Sequence, residues 1–84
     1  MDFKKEENRI YAEDEEGNIV AEITFQEVEE GIYDINHTFV DESLRGQGIA
    51  GKLVEEAVKT IKERGAKVQA TCSYASKWLE KNIK

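Results

Sequence analysis

The sequence predicts one mixed α/β domain, of α+β type, in which antiparallel strands come first and a helix, a short strand and a second helix follow. Three observations carry this. Ile19–Phe25 and Gly31–Val40 alternate with the period of two that strands require, the apolar spacing turns helical from Gly48, and a glycine stop at Gly65 separates that helix from Lys67–Thr71 and a last helical pattern. Residues 1–84 contain no repeat, no low-complexity stretch and no proline, and read as a single unit.

Each element has its own justification. Arg9–Glu13 is a weak strand, closed by the acidic turn Asp14-Glu15-Glu16-Gly17-Asn18, where Gly17-Asn18 supplies hairpin chemistry. Ile19, Ala21, Ile23 and Phe25 form the apolar face of the next strand. Glu29-Glu30-Gly31 marks a second turn, and Gly31–Val40 is a long strand with Tyr33, Ile35, His37 and Phe39 on one face. These three strands make an antiparallel meander. In the long helix, Ile49, Leu53, Ala57 and Ile61 form one row and Ala50, Val54 and Val58 the next, opposite a face of Lys52, Glu55, Glu56, Lys59, Lys62 and Glu63. Gly65 ends it. A right-handed crossover lays Lys67–Thr71 parallel to Gly31–Val40. Ser73 caps a final helix in which Ala75, Trp78, Leu79 and Ile83 face inward.

Charge and cysteine usage bound the function. The net charge of −6 argues against general nucleic-acid binding, but it conceals an asymmetry. Residues 1–42 carry fourteen acids against three bases, a net of −11, whereas residues 43–84 carry four acids against nine bases, a net of +5. Such a field draws a polyanion to the second half and a cationic partner to the first, unless these are simply solvated surface charges. The lone Cys72, with no long apolar run and no signal-peptide pattern at Met1–Lys5, leads to the expectation of a cytoplasmic protein with no membrane partner.

The motif richest in chemistry is Arg45-Gly46-Gln47-Gly48-Ile49-Ala50-Gly51, at the head of the long helix. Three glycines let a backbone approach an anion, and a helix start aims free N–H groups at it. Gly46–Gly51 fits the dinucleotide pattern G-x-G-x-x-G. The polar spacer Asp41–Ser43 before it, and the lack of an acid closing Val68–Thr71, do not fit that fold. Gly46–Lys52 also opens a triphosphate loop, but Leu53 stands where a metal-ligating hydroxyl is needed. No metal site is expected.

The same residues, Arg45-Gly46-Gln47-Gly48-Ile49-Ala50, resemble the pyrophosphate loop of the GCN-five-related N-acetyltransferases (GNATs) at every fixed position. Ile35–Val54 and Thr71-Cys72-Ser73-Tyr74-Ala75 are further similar to a subfamily of very short, YjdJ-type members, over nearly the whole chain. The resemblance implies a minimal GNAT-like fold and acetyl-CoA as co-substrate, its diphosphate held without metal by backbone N–H groups of Arg45, Gly46, Gln47, Gly48, Ile49, Ala50 and Gly51. It implies that Thr38, Phe39 and Val40, on the strand before the loop, hold the pantetheine arm and polarise the acetyl oxygen through backbone.

Acetyl transfer to an amine also needs a path for the amine proton and an acid for the leaving thiolate. His37 is either a general base near neutral pH or a histidine on the sheet surface. Cys72, at the end of the short strand, is either an acyl-accepting nucleophile or a small packing residue beside the thioester. Tyr74 is either the acid for the departing thiolate or an aromatic cover beside Trp78. Family members begin with a strand and two helices that wall the acceptor site, and this chain has only strands before Gly31. The acceptor side is therefore expected to be open or completed by a second chain, in a monomer or homodimer. The acceptor is an amine on a small molecule or a protein, the acidic half favouring a macromolecule. The expected activity is N-acetylation by direct attack or through Cys72, and the alternative is a non-catalytic acyl-CoA-binding or protein-interaction module.

Overall fold

The computed structural model describes residues 2–82. Its elements are β1 (Lys4–Lys5), β2 (Arg9–Glu13), β3 (Ile19–Glu29), β4 (Ile32–Val40), a 3₁₀ turn (Glu42–Leu44), α1 (Ile49–Glu63), β5 (Lys67–Ala70) and α2 (Ser73–Asn82). They form one five-stranded sheet in the order β1-β2-β3-β4-β5, antiparallel except for the parallel β4–β5 pair. The meander and the single parallel strand agree with the sequence reading. The short β1 is an addition to it, for two lysines carry no periodicity.

One face of the sheet is covered. Ile10, Ala12, Ala21, Ile23, Phe25 and Ile35 meet Leu53, Val54, Ala57, Val58 and Ile61 of α1, and all are buried. Helix α1 ends in a Schellman closure: Gly65 N–H donates to Lys62 O at 2.9 Å and Ala66 N–H to Ile61 O at 3.3 Å. Arg64 then clamps that end to the sheet. Its guanidinium lies 5.7 Å from the Phe25 ring and 5.3 Å from the Tyr33 ring, and donates to Glu7 O at 2.7 Å. Ala75 of α2 is buried and Trp78 and Leu79 are half-buried, while Ile83 lies outside the described residues.

Two bulges correct the predicted faces. Thr24 pairs with His37 but Phe25 with Ile35, so Asn36 is an extra residue on β4, with the Thr24 hydroxyl donating to its Oδ1. An extra residue inverts the alternation beyond it. Ile35 therefore points to the core, whereas His37 and Phe39, expected on the same face, are exposed on the opposite side. Val20 is likewise extra on β3, since Ala12 pairs with Ala21 but Glu13 with Ile19, and Ile19 is left 39% exposed.

Leu53 is fully buried at the centre of this packing. Leu53→Ala is expected to lower unfolding free energy by about 2–5 kcal/mol, the usual cost of such a core truncation, measured by urea denaturation. A loss under about 1 kcal/mol would show that the α1–sheet interface is not the core.

Candidate functional site

The glycine loop leaves the head of α1 bare. Gly46 and Gly48 have φ of +84° and +73°, the left-handed region that L side chains avoid, and Gly48 is the N-cap of α1 with no side-chain hydrogen bond to the first turn. The early N–H groups of α1 thus have no protein cap, and such groups bind anions. The loop approaches through a capped turn. Asp41 accepts from Ser43 Oγ at 2.6 Å and Ser43 N at 3.0 Å, and these bonds hold its carboxyl below the ordinary carboxylate range.

Beside the loop, the sheet parts. Strands β4 and β5 are paired only from Ile32–Lys67 to Ile35–Ala70, after which Thr71 N–H and Cys72 N–H both donate to Ile35 O at 3.1 Å. Strand β4 runs on for five residues without that neighbour. Asp41 N–H donates to Val20 O on the β3 side, so by strand alternation the N–H groups of Thr38 and Val40 point to the open edge. A cleft of about 350 Å³ lies there, lined by Thr38, Val40, Leu44, Arg45, Gly46, Gly48, Ile49, Ala50 and Tyr74. Most of the predicted coenzyme residues meet in this wall. Phe39, Gln47 and Gly51 stand outside it: Phe39 turns to the other face, and a Cβ on Gly51 would meet Tyr74 Oη at 3.5 Å and Trp78 Nε1 at 3.7 Å. Gly51 is where α2 rests against α1.

Cys72 occupies the N-cap of α2, a place expected for Ser73. Its carbonyl accepts from Ser76 N–H at 2.9 Å, the first bond of the helix, and Ser73 is the first helical residue. Its Sγ lies 3.5 Å from Thr38 Oγ1, a lining residue of the cleft. Burial pushes the half-buried thiol up, but the Thr38 hydroxyl and the N–H groups of Ala75, Tyr74 and Thr38 outweigh it, and the thiol sits below its ordinary value.

The remaining candidates divide between the faces. Tyr74 lines the cleft and is 44% exposed. His37 is on the opposite face with its Nε2 3.9 Å from Glu22 Oε1. Glu22 also takes Arg9 Nη1 at 3.0 Å, so this face carries a row of charged groups. The sequence reading missed Asp34. It is 5% exposed, and its Oδ2 accepts from Thr71 Oγ1 at 2.8 Å and Oδ1 from Gln69 Nε2 at 3.4 Å. A single acid between Tyr33 and Ile35 in a central strand was the available clue. Among the described residues no group of three His, Cys, Asp or Glu is placed to hold a metal, and no helix is long and apolar enough to cross a membrane.

Fold and site together define an α+β platform whose parted strands open beside a bare helix start. Residues 9–84 match the model of the GCN5-related N-acetyl-transferase family. The chain belongs to that family. A GCN5-like protein of Staphylococcus aureus, solved in solution, is 40% identical with a TM-score of 0.78, covering 95% of this chain and 78% of that one. A GNAT family N-acetyltransferase of Escherichia coli, solved in complex with CoA, is 30% identical with a TM-score of 0.60, over 69% of this chain and 35% of that one. Protein NATD1 of chicken and of mouse is 34% identical over 62 residues, or 74% of this chain. The chain spans about half the length of these curated relatives, with 56% covered.

The Cys72 thiol is expected to react with iodoacetamide with a midpoint below that of a free cysteine measured alongside it, because the helix N–H groups and Thr38 favour the thiolate. A lowered value means more thiolate at pH 7 and faster alkylation than free cysteine of the same exposure. Alkylation rates across pH 5–10, read by intact mass, check this, and a midpoint at or above that of the free cysteine would contradict it.

Proposed function

We propose that this protein is an acetyl-CoA-dependent N-acetyltransferase that takes its donor from the cleft side of the sheet and its amine from the other. The observation that carries this reading is the bare start of α1, opening into a cleft that runs along the free edge of β4 as far as Thr38, whose hydroxyl lies 3.5 Å from Cys72 Sγ. In this reading the N–H groups after Gly46 and Gly48 take the coenzyme diphosphate, with Arg45 adding charge. The pantetheine arm lies along Thr38 and Val40, whose N–H groups pair with its amides and polarise the acetyl oxygen.

On the direct route the neutral amine attacks the acetyl carbon, the C–S bond breaks and the coenzyme leaves as thiolate. Tyr74, in the cleft wall, supplies the proton to that sulfur. His37, on the acceptor face just beyond the parting of the strands, takes the proton that the amine loses. On the covalent route Cys72 thiolate attacks first, the coenzyme thiol leaves, and the amine then attacks the S-acetyl group, regenerating Cys72. The excess of acids in residues 1–42, fourteen against three bases, favours a cationic, lysine-like acceptor.

Calorimetry should find acetyl-CoA binding at micromolar concentration, and no heat at high micromolar would refute the reading. Incubation with acetyl-CoA followed by intact-mass measurement separates the routes. An acetyl adduct that vanishes in Cys72→Ala identifies the covalent route, and an unmodified protein that acetylates an amine identifies the direct one. On the direct route His37→Gln is expected to reduce kcat by about 100-fold, the usual contribution of one positioned base, with binding of acetyl-CoA unchanged. Binding without transfer to any member of an amine panel would make the chain an acyl-CoA-binding module instead.

A further inference from the structure

We propose that Asp34 and Thr71 are positioning residues for Cys72, a buried latch that fixes where β5 leaves β4 and so holds the thiol at the head of α2. Asp34 is an unfavourable choice for a strand position that needs only to fill space. Its carboxylate is 5% exposed, and the ion pairs among the described residues do not include it. Its two oxygens are held by neutral donors, the Thr71 hydroxyl at 2.8 Å and the Gln69 amide at 3.4 Å. Burying a carboxylate without a cation is costly, and a β-branched apolar residue would serve the strand better.

What Asp34 gains is hold over one turn. Thr71 is the last residue before the N-cap, and its N–H is already tied to Ile35 O, the same oxygen that takes Cys72 N–H. With the Thr71 side chain anchored to Asp34, the residue is fixed at both backbone and hydroxyl. The next residue then has little freedom. Cys72 must present its carbonyl to Ser76 and its sulfur to the N–H groups of Tyr74 and Ala75 and to Thr38. Without the anchor, the turn keeps its backbone bonds but loosens, and the thiol leaves the helix start for part of the time. Of the titratable groups on the elements around the thiol, Thr71→Val changes none and Asp34→Asn removes only the Asp34 charge while keeping an acceptor for Thr71, so His37 on β4, Arg45 before α1, and Tyr74 and Lys77 on α2 stay unchanged throughout.

The latch matters to function only if Cys72 meets the acyl group, as proposed above, but its effect on the thiol is measurable without coenzyme. The experiment is iodoacetamide alkylation of the full chain across pH 5–10, followed by intact mass, for wild type, Thr71→Val, Asp34→Ala and Asp34→Asn. Thr71→Val and Asp34→Ala are expected to slow alkylation at pH 7 about three- to tenfold and to raise its midpoint by roughly half to one pH unit, as befits loss of one hydrogen bond. Asp34→Asn keeps an oxygen that accepts from Thr71, and should stay within about twofold of wild type. Thr71→Val is nearly isosteric and decides the matter even if Asp34→Ala fails to fold. Wild-type rate and midpoint in Thr71→Val would overturn the latch, and so would an Asp34→Asn as impaired as Asp34→Ala, since charge and not the hydrogen bond would then matter. Calorimetry with acetyl-CoA on the wild type remains a separate measurement: its failure would refute the proposed function and leave the latch standing.

Discussion

The carbonyl oxygen of Ile35 is the point on which the site depends. It accepts both Thr71 N–H and Cys72 N–H at 3.1 Å, and so ends the β4–β5 ladder while turning the chain into α2. On the other edge of β4 the next residue, Asn36, is the bulge that rotates the strand against β3. One strand is therefore released on one side and re-aimed on the other within two residues. The free edge at Thr38 and Val40, the cleft beside it and the thiol at the start of α2 all follow from that coincidence. A regular β4, paired along its length with β5, would have no open N–H groups and no gap between the faces.

A domain this small has little core to hold such a defect. Leu53 and Ile61 of α1 fill the covered face, and Arg64 ties the far end of the helix to the Phe25 and Tyr33 rings and to Glu7 O. Fixing the far end has a consequence at the near one. A helix is stiff over fifteen residues, so anchoring its C-terminus sets the direction in which its bare N-terminus points. Gly51 completes the arrangement by letting Tyr74 and Trp78 lie against α1, which brings α2 and its N-cap Cys72 toward the same cleft.

Local chemistry and strand order were legible in the sequence, and the register of the pairing was not. The loop glycines, the closure at Gly65 and the periodicity of α1 are properties of neighbouring residues, and each is found where it was read. Placement of His37 and Phe39 failed because Asn36 is an extra residue only with respect to β3, a fact stored in the pairing of Thr24 and Phe25, twelve and eleven residues away in the chain. The choice of cap failed for a similar reason. Ser73 is the better cap by side chain, but Ile35 O captures Cys72 N–H and leaves Ser73 to begin the helix. Asp34 was passed over because its meaning lies in Thr71, thirty-seven residues on.

Among the described helix termini, the glycine loop differs from the others in how the backbone groups beside it are met. The 3₁₀ turn is capped by Asp41, α1 is closed at its C-terminus by Gly65 and Ala66, and α2 is capped at its start by Cys72. The start of α1 is the exception, with Gly48 offering no side chain to the first turn. Unpaired N–H groups are tolerated where water or a ligand meets them, and here they face the cleft. Leu53 shows the other half of the choice. In a metal-assisted triphosphate site this position carries a hydroxyl toward the ion, and here it is wholly committed to the core. The helix thus commits this side chain to packing and leaves its first N–H groups open, the arrangement that the proposed diphosphate site needs.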